Sequence, residues 1–115
     1  MSVSMTVPAS WLSEAGLQGF VPTRQAFRCD EPHIIISIAN IEKMIRSVPL
    51  DMNGFRRDRM MRVLTGIRDD DALPPIPVQR ADQGPLPYRL RDGTHRFYAS
   101  LALGFSHIPA VLVEY

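Results

Sequence analysis

The sequence predicts an α/β (α+β) domain, a small mixed sheet packed by two principal helices, and three stretches carry that reading. Residues 33–38 (HIIISI) are a run of branched apolar side chains. Residues 55–68 repeat apolar side chains at helical spacing. Residues 88–115 parse as strand, tight turn, helix, loop and strand.

Residues 1–30 form an N-terminal extension to the domain proper, residues 31–115. Ser10 is expected to cap a short helix through Trp11, Leu12 and Ala15, bracketed by Pro8 and Pro22. Trp11 or Phe20 should pack it onto the domain or onto a second subunit. The unalternated run 33–38 predicts a strand buried on both faces, with His33 at its edge. Asn40 is placed to cap a short helix in which Ile41, Met44, Ile45 and Val48 recur at helical intervals. Asp51-Met52-Asn53-Gly54 reads as a turn, and the main helix starts at Phe55 or Arg56. Its buried stripe is Met60, Val63, Leu64 and Ile67. Arg56, Arg57, Arg59, Arg62 and Arg68 take the polar side, the ordinary pattern of a solvated face.

Asp69-Asp70-Asp71 is expected to be a solvated loop. Adjacent carboxylates without glycine turns between them seldom converge on one ion, so no metal site is read there. Residues 73–80 (LPPIPVQR) form a strand whose prolines belong at its start or edge, and 81–87 a hairpin loop returning to Tyr88. Asp92-Gly93 is a turn pair, Thr94 takes the N-cap position, and Tyr98, Leu101, Ala102 and Phe105 mark the apolar face of the helix that follows. Gly104 is its left-handed stop, and residues 108–113 are the last strand.

A tight turn leading into a helix leaves amide N–H groups without intrahelical partners, and the dipole adds about half a positive charge there. The turn is therefore a candidate anion site, flanked by His95 and Arg96. The local alternative is that Thr94 only caps, His95 faces water and Arg96 pairs with Asp92.

Asp92-Gly93-Thr94-His95-Arg96, followed by Tyr98-Ala99 and residues 108–113 (IPAVLV), resembles the signature of the ParB/sulfiredoxin superfamily, nearer its sulfiredoxin branch. Upstream, residues 59–68 with 73–78 (LPPIPV) resemble the sulfiredoxin helix, acidic loop and PPI strand. Ile45-Arg46 resembles the Ile-Arg pair after the first strand. The likeness spans residues 33–115 and implies that fold.

Sulfiredoxins use ATP and magnesium to repair over-oxidised peroxiredoxins through a cysteine in a GCHR turn. Thr94 stands in that position, and a hydroxyl does not ionise near neutral pH as a thiol can. Cys29 lies outside the similar region, so sulfinic-acid reduction is not expected. The resemblance leaves a phosphate cradle of Gly93, Thr94, His95 and Arg96, closed by Arg46 and Arg59. Arg96 would fork onto phosphate oxygens, and His95 would donate when protonated. Thr94 and His95 are the catalytic candidates: the Thr94 hydroxyl could touch phosphate or magnesium or accept a phosphoryl group, with capping its simpler role. Where sulfiredoxins carry phosphate-touching lysine, serine and threonine on the main helix, this chain has Arg59, Arg62 and Gly66.

ParB domains hold CTP with a GERR turn, and the glutamate is absent here. No room is expected for a helix-turn-helix, so specific DNA binding is not expected. A further branch phosphorylates free serine. Such chemistry would need a carboxylate base, for which Glu31 and Glu42 are candidates by location alone.

A net charge of +1 argues against nonspecific nucleic-acid or membrane binding. The single cysteine excludes an intrachain disulfide and suggests a reducing, cytoplasmic setting. The first residues lack the charged start and apolar core of a signal peptide, and no run reaches the ~18 apolar residues of a membrane span.

The expected function is that of a sulfiredoxin-like nucleotide- or phosphate-binding protein without the reductase cysteine. It would bind ATP or another nucleotide, with Mg2+ as companion ion, and phosphotransferase or ATPase chemistry on a protein or small-molecule substrate stays open. The alternative is a non-catalytic ParB-like interaction module that meets a protein or nucleic acid through its arginine-rich helix. Arg96→Ala should abolish nucleotide binding with little loss of stability. Charge reversal at Arg56 and Arg57 should weaken only partner binding.

Overall fold

A computed structural model describes residues 6–43 and 55–114. In chain order they form α1 (Ala9–Glu14), β1 (Ile34–Ser37), β2 (Ile41–Glu42), α2 (Arg57–Arg68), β3 (Ile76–Arg80), β4 (Tyr88–Leu90), α3 (Thr94–Leu103) and β5 (His107–Leu112). The strands make one mixed sheet in the order β1-β5-β3-β4-β2. β1 with β5 and β3 with β4 are antiparallel, while β3 with β5 and β2 with β4 are parallel.

The hairpin of β3 and β4 places Val78 opposite Leu90, and both side chains are buried. Ile76 and Val78 point inward in alternation with Pro77 and Gln79, as a half-buried strand requires. The strand starts at Ile76 rather than at Leu73, and Pro74 and Pro75 precede it, where their missing N–H groups cost no ladder bond. Arg91 N–H donates to the Pro77 carbonyl at 3.1 Å.

The run of isoleucines sits differently from its expected place. Among the described residues β1 lies at the edge of the sheet with β5 as its one partner, and Ile34 and Ile35 are 44% and 41% exposed. Within β1, Ile36, opposite Ile108, is the isoleucine that is buried, and Ile38 of the same run is buried just beyond it. The helix expected after Asn40 does not start there. Ile38–Asn40 is a short 3-10 turn, and Ile41 and Glu42 are strand, aligned with Tyr88 and Arg89. Met44, Ile45, Val48 and the turn at 51–54 lie outside the described residues.

All three helices close in the same way. After α1, Leu17 N–H reaches the Leu12 carbonyl and Gly16 takes φ +76°. After α2, Asp71 N–H reaches Gly66 and Asp70 takes φ +57°. After α3, Phe105 N–H reaches Ser100, with Gly104 at φ +88° as expected. Each is a Schellman closure, with one left-handed residue satisfying the last carbonyls. The three aspartates are thus helix-end chemistry. All are exposed, Asp69 is bound by Arg68, and Asp70 faces Arg24 at 3.3 Å.

The helix starts depart from expectation. Pro8, not Ser10, precedes α1. Gly93, not Thr94, is the N-cap of α3, and Thr94 is its first helical residue, largely buried. On α2, Met60, Leu64 and Ile67 are buried as read, and Val63 is half-buried. On α3 the inward face is Phe97, Tyr98, Ala99, Ser100 and Leu103, while Leu101 and Ala102 face out.

The N-terminal segment is woven into the core. Trp11 and Phe20 pack against it, and Val7, Ala15, Leu17, Ala26 and Phe27 are themselves buried. Its backbone is tied down as well: Leu73 N–H donates to the Arg28 carbonyl and His107 N–H to the Gln25 carbonyl, each at 2.9 Å.

Candidate functional site

The loop from β4 into α3 turns on Gly93, at φ +78° and ψ +30°. Its amide donates to the Asp92 carboxylate at 2.7 Å, which fixes the turn from within. A Cβ at this position would stand 2.7 Å from Ile76 Cγ2, so the backbone lies against β3 where only glycine fits. The first intrahelical bond runs from Phe97 N–H to the Gly93 carbonyl, so the amides of Thr94, His95 and Arg96 precede the helical ladder. The N-cap is a glycine, so no N-cap side chain stands in place of the expected threonine.

α2 packs beside α3, and the space between them is an open cleft of about 540 Å³. Arg56, Arg59, Arg62 and Val63 line one wall, and Asp92, Gly93, Thr94, His95 and Arg96 the other. Five of the residues singled out in the sequence therefore converge: Gly93, Thr94, His95, Arg96 and Arg59. Arg46 lies outside the described residues. Arg56 and Arg62 complete the basic wall, and their three-residue spacing with Arg59 is the signal that marks all three as neighbours on one side of the helix.

The cations are not equivalent. Arg57 is paired with Glu14 of α1, and Arg68 with Asp69 and the Ala15 carbonyl, so two arginines of the helix are structural. Arg56 meets Asp58 at 3.4 Å in an exposed pair. Among the described residues, neither Arg59 nor Arg62 forms an ion pair within 4 Å. The arginine face expected to await a partner is thus largely divided between internal pairs and the cleft.

Arg96 has a job of its own. Its Nη1 donates to the Pro74 and Pro75 carbonyls at 2.7 and 2.9 Å, clamping the first turn of α3 to the approach of β3. Burial draws its pKa below the usual guanidinium value, while Asp92, Glu31 and Cys29 act the other way. The group stays charged. Its fork is partly committed, and Arg96→Ala would strand two carbonyls, so that substitution is not the clean probe of binding the sequence suggested.

His95 also binds protein. Its Nε2 accepts the Arg56 N–H at 3.0 Å, which requires the neutral ring with its proton on Nδ1. Phe55 packs edge-on against His95 and Tyr98, with centroids 5.7 and 5.4 Å apart. His95 therefore latches the start of α2 to α3 and sets the distance between the walls.

The two candidate bases separate. Both lie outside the cleft lining: Glu31 is within electrostatic reach of Arg96, and Glu42 is on β2, 3.5 Å from Arg89. Cys29 also lies outside it, its thiol directed at the Glu31 carbonyl at 3.6 Å. For magnesium the lining offers one carboxylate, Asp92, and no group of three or more ligating side chains occurs among the described residues. The residues present do not fit a protein-built magnesium site. No helix among the described residues is long and apolar enough to cross a membrane.

Comparison with known proteins places this architecture. A sulfiredoxin from Arabidopsis thaliana superposes with a TM-score of 0.55 at 20% identity, over 74% of this chain and 88% of that one. The C-terminally truncated chromosome-partitioning protein ParB from Caulobacter crescentus, in complex with CTP-γ-S, superposes at 0.54 and 19% identity, over 74% of this chain and 46% of that one. A ParB-like protein of Sulfolobus acidocaldarius is 41% identical over 49 residues, which are 43% of this chain and 22% of the relative. No protein-family model matches the chain.

Proposed function

We propose that this chain, which has the ParB/sulfiredoxin fold, binds the phosphate tail of a nucleotide between the first turn of α3 and the arginine wall of α2. One observation carries the reading: four arginines and a glycine-opened helix N-terminus share a single cleft with one carboxylate. Such a site favours phosphate oxygens, because amides and guanidinium forks both donate to them and both add positive potential. That the ParB neighbour is complexed with CTP-γ-S supports the ligand class.

In this reading Arg59 and Arg62 contact the ligand, Arg96 anchors the turn, and His95 spaces the two helices. Thr94 lines the same cleft and carries no thiol chemistry. Phosphoryl transfer would need a base, and neither Glu31 nor Glu42 lines the cleft to supply one.

The test is calorimetric titration with ATP, ADP and CTP, on the parent and on the Arg59→Gln/Arg62→Gln double variant, with magnesium and then with EDTA. Charge-assisted bonds of this kind contribute roughly 1.5–3 kcal/mol each, so the double variant should bind at least ~10-fold more weakly. Binding should survive EDTA, because arginines rather than carboxylates hold the phosphates. Equal affinity in the double variant, or no heat with any nucleotide, would overturn the proposal.

A further inference from the structure

Arg56, Arg59 and Arg62 follow one another at three-residue steps, and all three line the cleft. Each step rises about 4.5 Å along a helix, so the three positions extend over about 9 Å of its length. The first is pinned beside the α3 turn by the bond from Arg56 N–H to His95 Nε2, and the other two continue along α2. Among the described residues, the lining holds four guanidinium groups against the single carboxylate of Asp92, and Val63 is its one apolar side chain.

A lone phosphate is satisfied by the N-terminus of α3 and one guanidinium. Arg56 has Asp58 and Arg96 is committed to two carbonyls, so the cations left for further anions are Arg59 and Arg62, which form no ion pair within 4 Å among the described residues. A row of cations leading away from a helix N-terminus is matched by a row of anions that starts there. Resting on the phosphate-tail reading, we propose that the cleft recognises the length of a linear phosphoanhydride chain, with three phosphates or more. The nucleoside is dispensable, and inorganic tripolyphosphate is a ligand in its own right.

The experiment titrates the whole chain, at fixed ionic strength, with orthophosphate, pyrophosphate, tripolyphosphate, citrate, ATP and CTP. Affinity should rise about tenfold with each added phosphate, and tripolyphosphate should bind within about tenfold of the nucleotides. Arg62→Gln should cancel most of the gain from pyrophosphate to tripolyphosphate, lowering tripolyphosphate affinity about tenfold. Thermal melts of the variant confirm that it is folded. Nucleotides that bind while tripolyphosphate binds no better than orthophosphate would overturn this inference and leave the nucleotide reading standing. Citrate binding as tightly as tripolyphosphate would overturn it too, showing an unselective cationic surface. Silence with every phosphate compound and nucleotide would overturn both.

Discussion

Gly93 concentrates the demands on this site in one residue. Its backbone is left-handed, its amide is held by Asp92, and any Cβ would meet Ile76 Cγ2 at 2.7 Å and Ile76 Cβ at 3.1 Å. Ile76 is fully buried and cannot swing away. Gly93→Ala should therefore destabilise the protein by roughly 2–4 kcal/mol, combining backbone strain with overpacking. Denaturant unfolding would read this directly, and an unchanged midpoint would mean that the turn is not pressed against β3. The neighbouring residues show how position can redirect chemistry. Arg96 spends part of its fork on two proline carbonyls, and His95 accepts a backbone N–H from the opposite helix. Both brace the cleft from inside the motif that the sequence marks as its ligand site.

At the scale of elements, the helix ends follow one rule and break it once. The left-handed closing residue is glycine after α1 and α3, but Asp70 after α2. An L-residue in that conformation carries strain of about 1–2 kcal/mol, eased for aspartate. Asp70 gives in return only an exposed pair with Arg24, whose side chains are 59% and 56% accessible. Such a pair contributes little in water. Asp70→Gly should raise stability by about 0.5–1 kcal/mol and lift the melting temperature, since relief of strain outweighs the lost pair. A lower melting temperature would show that the Arg24 contact matters more than its exposure suggests.

Across the whole molecule, residues 7–27 contribute directly to the core. Val7, Leu17 and Phe27 are each at most 5% exposed. Burying a side chain of that size contributes about 1.5–3 kcal/mol, against a typical total stability of 5–15 kcal/mol. A fragment of residues 31–115 would also lose the carbonyls of Gln25 and Arg28 that receive His107 and Leu73. It should show no cooperative thermal transition, where the full chain shows one. A sharp melt in the fragment would mean that the segment is an accessory after all.

What the sequence determined by itself was local. The Asp92-Gly93 turn, the stop at Gly104, the hairpin between residues 80 and 88, the span of α2 and its Met60, Leu64 and Ile67 stripe all depend on backbone preferences and side-chain periods over a few residues. The ordered motifs of residues 59–113 were enough to point to the fold. Tertiary structure decided the rest, because burial and partnership depend on residues far along the chain. A run of isoleucines reads as a strand buried on both faces, yet sheet order among the described residues leaves β1 with one neighbour and two exposed isoleucines. Thr94 reads as a cap, yet the approach of Ile76 gives the cap to Gly93 and makes Thr94 the first helical residue. The arginines of α2 read as one solvated face. Only tertiary contact sends Arg57 to Glu14 of α1, and only the packing of α3 brings Arg56, Arg59 and Arg62 to a turn about thirty residues away.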